Sequence, residues 1–297
     1  MLKVLLFVLI FNDISLCLEA NTHNFDYDRK FPRLLLRQNS TPSTVRIKVD
    51  SFVLSTGQEI QTSYRLNFNA LAKNLIDYCG AYLREKCFSD VETLDFTDIK
   101  LKEFPSDLMR QMFGNVKHLN VSRNLIGGLA PHTDFASMLA RDTLHTLDLS
   151  SNQLATIDEE TFKHLKNLKH LNLANNKIKF INLFAFTADT HNLVELDLSR
   201  NLIVDTSMEF LLFSSLSKLK YLNLNQNRLT TLSNHLLYNL YSLEYLSLNR
   251  NNLKTFDLFS LSSKTNEFLK IVDLSFNSNL KLVANRKIIY FVVWLSS

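Results

Sequence analysis

The sequence predicts an α/β solenoid, a right-handed horseshoe whose concave side is a parallel sheet of about eight strands. Three observations lead there. An eleven-residue motif, apolar at positions 1, 4, 6 and 11 with asparagine at position 9, returns nearly intact six times between Val116 and Leu253. Within each copy, apolar positions 4 and 6 alternate with polar positions 3, 5 and 7, the period of a strand with one buried face. The 297 residues are 46% hydrophobic and 21% charged, a balance that supports a packed core and excludes wholesale disorder.

Composition narrows the function classes. Lysine plus arginine (33) against aspartate plus glutamate (29) leaves +4, spread along the chain, which argues against a nucleic-acid partner. Five glycines and four prolines rule out collagen, glycine-rich phosphate loops and long proline linkers. Three cysteines exclude a disulfide-dense miniprotein and a four-cysteine zinc site.

The elements follow in order. Lys3 precedes the apolar run Val4–Phe11, the layout of a secretory signal peptide, with cleavage after Cys17 or, as second choice, after Ala20. The run is far shorter than the ~20 residues that span a bilayer, so no membrane span is expected in this chain. Residues 18–45 read as a flexible polar arm carrying the glycosylation sequon at Asn39. Residues 46–90 alternate at Arg46–Val49 and then turn helix-like through Ala70, Leu75 and Leu83, a capping region for the stack. After cleavage at Cys17, Cys79 and Cys87 remain, most simply a disulfide in an oxidising compartment; two free buried thiols are the alternative. In one continuous helix these two would lie ~12 Å apart by rise alone, so a bond requires the chain to fold back between them, with Gly80 to help.

From 91 to 279 the motif governs. Clean copies begin at Val116, Leu144, Leu168, Leu193, Leu219 and Leu243, flanked by degraded ones at Val91 and Leu269. Their position-9 residues are Ile99, then Asn124, Asn152, Asn176, Asn201, Asn227, Asn251 and Asn277, spaced 25, 28, 24, 25, 26, 24 and 26 apart. This is the leucine-rich repeat spacing. Leu119, Leu147, Leu171, Leu196, Leu222 and Leu246 are expected to form an inner ladder. The asparagines are expected to satisfy backbone groups of neighbouring turns, since a carboxamide both donates and accepts. The second half of each copy, as in Ile157, Phe162, Leu165 and Leu168, has a helix-like apolar spacing. The longest spacing holds Gly127, Gly128 and Pro131, an insertion that is either a contact loop or neutral slack. Residues 280–297 include the apolar run Ile288–Leu295, read as a C-terminal capping strand or the stub of a longer receptor.

These residues resemble the extracellular leucine-rich repeat family of animals, especially its typical subfamily. That family includes Toll-like receptor ectodomains, secreted insect immune repeat proteins, and adhesion or guidance receptors. The resemblance implies a curved solenoid whose concave sheet binds a macromolecule. Cys79 and Cys87 look like a reduced form of the family's four-cysteine N-terminal cap, and no cysteine follows Cys87 to form the C-terminal cap.

Candidate binding residues follow from the positions that vary. Position 5 reads Asp95, Asn120, Asp148, Asn172, Asp197, Asn223, Ser247 and Asp273, superficially an acidic or metal array. Strands ~4.8 Å apart would space these groups along a surface rather than gather them on one ion, so no metal or cofactor is expected. Positions 3 and 8 of the last repeats gather Arg200, Tyr221, Tyr245, Arg250, Ile271 and Phe276, residue types that dominate interface energetics. This set is the expected partner-binding surface, against the alternative of a merely solvated sheet. Asn120 lies in a second sequon, where a glycan would push partners toward the later repeats. No H-E-x-x-H, G-x-S-x-G or C-x-x-C motif occurs, so catalysis is not expected. The expected protein is secreted and non-catalytic and binds an extracellular protein or glycan in innate immunity, adhesion or signalling; a homo- or hetero-dimer is compatible with it. A truncated receptor ectodomain and a structural matrix protein are the alternatives.

Overall fold

The computed structural model describes residues 91–104, 106, 109, 114–130, 135, 138–205, 212–233, 235–257 and 268–283, and five strands outside that range. Those five are β1 (Leu5–Phe7), β2 (Thr44–Ile47), β3 (Ser51–Val53), β4 (Glu59–Gln61) and, at the far end, β17 (Val292–Trp294). The expected cleavage sites, Asn39, Cys79, Cys87 and Pro131 lie outside the described residues.

The repeats supply β5 (Thr93–Asp95), β6 (His118–Asn120), β7 (Thr146–Asp148), β9 (His170–Asn172), β11 (Glu195–Asp197), β12 (Tyr221–Asn223), β13 (Tyr245–Ser247) and β15 (Ile271–Asp273). Each covers positions 3 to 5 of one repeat, and all eight pair parallel with like positions opposite one another. Leu119, Leu147, Leu171, Leu196, Leu222 and Leu246 therefore stand side by side behind the sheet, all of them buried. Each repeat hides its leucines in its neighbours, at ~1.5–3 kcal/mol gross per fully buried large side chain. β2 extends this sheet parallel to β5, with β3 and β4 antiparallel beyond it. β17 pairs parallel with β15, and β1 pairs antiparallel with β17.

The outer side is helical at Ser106 and Met109 of the first repeat but departs from the helix-like expectation in the later described repeats. Where described, it is mostly turns, two 3-10 helices (Leu139–Asp142 and Ala188–Thr190) and short strands: β8 (Thr156–Ile157) pairs with β10 (Phe180–Ile181), and β14 (Thr255–Asp257) with β16 (Lys281–Val283). The physical reason is in the spacing. Phe162, Leu165 and Leu168 are three apart, and the N–H of each later residue donates to the carbonyl of the one before. The same links join Phe213, Leu216 and Leu219, and Leu237, Leu240 and Leu243. Three residues per turn is the 3-10 period, which eclipses i and i+3 and rises faster than an α-helix, returning the chain in few residues. Phe104, Phe135, Phe162, Phe186 and Phe213 stack along this wall with ring centroids 4.8 to 6.0 Å apart.

Candidate functional site

Seven of the eight repeat strands end in the same turn, the exception being β13 with Ser247 at position 5. At position 5 the side-chain oxygen accepts from the backbone N–H two residues on: Asp95 from Thr97, Asn120 from Ser122, Asp148 from Ser150, Asn172 from Ala174, Asp197 from Ser199, Asn223 from Asn225 and Asp273 from Ser275. These are Asx turns, which account for aspartate or asparagine at this position without any ligand. Among the described residues no group of three or more acidic, histidine or cysteine side chains is placed to hold a metal.

Position 8 then carries a positive φ in all eight repeats: Asp98, Arg123, Ser151, Asn175, Arg200, Gln226, Arg250 and Phe276 lie between 52° and 57°. None is glycine, so each bears the left-handed penalty of ~1–2 kcal/mol. The return is a backbone bond to the next repeat. Arg123 N–H donates to the Ser150 carbonyl at 2.9 Å, Arg200 N–H to Asn225 at 2.8 Å and Arg250 N–H to Ser275 at 3.0 Å. Sequence reasoning missed this strain, because the eight residue types share no signal.

Position 9 closes the turn. Asn176 Nδ2 donates to the Leu149 and Leu173 carbonyls at 3.0 Å each, while its Oδ1 accepts from Leu154 N–H at 3.1 Å. Asn124, Asn152, Asn201, Asn227, Asn251 and Asn277 repeat this pattern, each bridging its own repeat to the preceding one. Buried backbone groups are thus satisfied by side chains at seven successive turns.

On this frame the face divides. Tyr221 and Tyr245 sit opposite each other on β12 and β13 and stack, centroids 4.7 Å apart and planes 5° from parallel; Ile271 is next in register on β15. Beside them Glu244 bridges Lys220, at 2.9 Å, and Lys270, whose ammonium also lies 5.7 Å from the Tyr245 ring centroid. Hydrogen bonds from Lys270 and Lys220 hold the Glu244 carboxyl below its ordinary range. Burial, with Glu244 and Tyr245 nearby, pushes the Tyr221 phenol up. At the other end of the strands the Arg250 guanidinium lies 4.8 Å from the Phe276 ring centroid. Phe276 is 47% exposed. Of the six residues singled out from sequence, the structure joins Tyr221, Tyr245 and Ile271 in one row and Arg250 and Phe276 in another. Arg200 lies two repeats before Arg250 in that second row. Lys220, Glu244 and Lys270 were overlooked; their position-2 alternation of charge was the available signal.

Between the rows lies a polar floor. Asn223 Nδ2 donates to Asp197, Ser247 to Asn225 Oδ1 and Asn249 Nδ2 to Asp273. In the earlier repeats, burial drives the Asp148 carboxyl from 3.8 to about 6, against opposing hydrogen bonds from Ser150 and Asn172. Burial raises Asp197 too. His118 Nδ1 lies 3.0 Å from Thr146 Oγ1, and burial with neighbouring His145 lowers its pKa. His170 Nδ1 lies 2.9 Å from Glu195. Asn120 is half-buried on β6, between Asp95 and Asp148 in register.

Residues 142–203 and 191–253 match the family described as leucine rich repeat. Residues 142–253 thus carry leucine-rich repeats. Podocan-like protein 1 of Mus musculus is 38% identical over 38% of this chain and 19% of its own length. Oligodendrocyte-myelin glycoprotein of Homo sapiens is 29% identical over 69% of this chain and 44% of its own length. The chain therefore spans less than half the length of either relative. A chain of the solved Toll–Spatzle complex of Drosophila superposes with a TM-score of 0.55 at 24% identity, over 65% of this chain and 26% of that one, a likeness of fold. Among the described residues no helix is long and apolar enough to cross a membrane.

Proposed function

We propose that this leucine-rich repeat protein is a non-catalytic extracellular recognition module, acting in innate immunity, cell adhesion or signalling. It binds a macromolecular partner across the last four repeat strands, through Arg200, Tyr221, Tyr245, Arg250, Ile271 and Phe276. The observation that carries this reading is the stacked Tyr221–Tyr245 pair, set beside Ile271 and across the floor from the Arg250–Phe276 contact. Rigid aromatic and arginine side chains lose little conformational entropy on binding and dominate interface energies. The Toll–Spatzle complex supports it by analogy, since there a chain of like fold assembles with another protein.

The remaining sequence readings belong to the same proposal: a signal peptide over 1–17, a Cys79–Cys87 disulfide, and glycans at Asn39 and Asn120. The test is capture of partners from extracellular fluid by the mature protein and by a Tyr245→Ala, Arg250→Ala double variant. Loss of about 2 kcal/mol or more of binding is expected from removing two anchors. Unchanged capture by the variant overturns the reading. A second reading, an ectodomain segment of a longer receptor, is favoured by 35% identity over 113 residues to leucine-rich repeat-containing G-protein coupled receptor 5 of Rattus norvegicus, of whose length the chain spans 12%. The transcript downstream of Ser297 decides it.

A further inference from the structure

The charges on the binding face differ in kind according to their exposure. At positions 2, 3, 5, 7 and 8 of the last four repeats the formal charges are Arg200, Lys220, Arg250, Lys270, Glu195, Asp197, Glu244 and Asp273. The four cations are all exposed, whereas each of the four acids is at least partly buried. The acids are also engaged: Glu195 meets His170, Glu244 takes both lysines, Asp197 accepts from Ser199 and Asn223, and Asp273 from Ser275 and Asn249. A partner arriving from solvent therefore meets cations first.

The two arginines are the least committed. Among the described residues neither guanidinium is in a salt bridge, though Arg200 attracts Asp197 without a direct ion pair. Arg250 rests against Phe276, which orients the guanidinium while its N–H edges stay available for a two-point bond to a carboxylate. Across the floor, the Tyr221 hydroxyl is a donor at neutral pH, as any phenol is, and Lys270 adds positive charge beside Tyr245. From position 3 to position 8 the strand and turn span about 16 Å at most, and four strands span about 14 Å, room for one chain segment.

We infer that the partner presents an acidic protein segment in which carboxylates alternate with apolar side chains. This rests on the reading of the last four repeats as the binding face. Carboxylates would be taken by Arg200 and Arg250, and apolar groups by the exposed faces of Tyr245, Ile271 and Phe276. A sulfated glycan fits less well. Half the large groups here are aromatic or aliphatic, and two of the four cations already share Glu244.

The experiment uses the mature protein and three probes: a fluorescein-labelled peptide rich in glutamate and phenylalanine, its counterpart with lysine for glutamate, and a labelled heparin oligosaccharide. Anisotropy should show the acidic peptide bound in preference to both others, more weakly as salt rises. An Arg200→Glu, Arg250→Glu variant should bind it at least about tenfold more weakly, a loss of ~1.4 kcal/mol. Both arginines are exposed, and unchanged thermal unfolding of the variant shows that its fold is intact. Acidic and lysine peptides binding alike, or binding that ignores the charge reversal, overturns the inference. Preferential capture of heparin also overturns it and assigns the face to a sulfated glycan. If the Tyr245→Ala, Arg250→Ala variant loses its natural partner while the acidic peptide fails to bind, the binding face stands and only the acidic partner falls. If partner capture is unchanged, the face itself falls.

Discussion

The first four repeat strands and the last four share one backbone and present different chemistry on it. In the first half the position-3 threonines, Thr93 and Thr146, are buried, and His118 and His170 are tied to Thr146 and Glu195. The exposed charges at its face positions, Asp98, Arg123 and Lys169, are of both signs. In the last half the same positions hold a tyrosine stack, Ile271, a cation over Phe276, and exposed charges of one sign. Register and left-handed residues run through all eight repeats; Asx turns lapse only at Ser247 and asparagine bridges only at Ile99. Scaffold and the proposed recognition surface are thus separable in this molecule: the first is written in positions 4, 6, 9 and 11, the second in positions 2, 3 and 8.

The largest expected effect tests the shared scaffold. Asn152→Ala strands the Ile126 N–H and takes one of two bonds from each of the Val121 and Leu149 carbonyls, which keep Asn124 and Asn176; Asn227→Ala strands the Ile203 N–H and takes one of two bonds from each of the Leu198 and Leu224 carbonyls, which keep Asn201 and Asn251. At ~1–3 kcal/mol for the stranded N–H and ~0.5–1.5 kcal/mol for each of the two lost bonds to carbonyls, either variant should lose about 4 kcal/mol, and the two should lose about the same. Urea unfolding measures both. A large loss in one half and a negligible one in the other would break the claim of a common frame.

The next effect sharpens the contrast by pH. Asp148 titrates at about 6 in the folded protein because it is buried, against an ordinary 3.8. A raised folded-state value means that the native protein binds the proton more tightly than the unfolded chain, so stability rises as pH falls through 6. From pH 7.5 to 5 the gain should be about 1.5 kcal/mol, roughly half of the ~3 kcal/mol that the whole shift represents. Asp148→Asn should remove most of that gain. Glu244, in the other half, is held below its ordinary range by two lysines, so its contribution is lost only as pH falls through its own depressed value. Thermal unfolding at pH 7.5, 6 and 5 separates the two; a wild-type midpoint that falls steadily over that range contradicts the assignment.

How much of this was legible in the sequence depends on whether a residue's role is periodic in its type. Leu147, Leu171 and Leu196 announce a buried ladder because only an apolar residue serves there, and Asn152 and Asn176 announce a turn because only a carboxamide bonds on both sides. The outer wall was legible as apolar but not as 3-10, since Phe162, Leu165 and Leu168 satisfy an i, i+3 helix pattern equally well until hydrogen bonds distinguish them. The acidic stripe from Asp95 to Asp273 suggested chemistry that the Asx turns account for. The left-handed row was invisible. Aspartate, arginine, serine, asparagine, glutamine and phenylalanine share no property that dictates the sign of φ, and the geometry is imposed by the bond to the next repeat.

That row supplies the smallest and most discriminating prediction. Replacing a left-handed residue by glycine relieves the ~1–2 kcal/mol backbone penalty and adds back ~0.5–1 kcal/mol of unfolded-chain entropy, a net gain of roughly 0.5 kcal/mol. Ser151→Gly and Arg250→Gly start from φ of 56° and 52° and lie one in each half, so both should raise the unfolding midpoint slightly. Their effects on recognition should then diverge. Ser151→Gly removes a half-buried hydroxyl that accepts from Asn175, and partner capture should be unaffected. Arg250→Gly removes the cation from Phe276, and capture should weaken while the fold gains. A variant more stable and less able to bind would show that position 8 of the last repeats is kept from glycine by recognition rather than by folding; equal binding by both variants would return Arg250 to the scaffold.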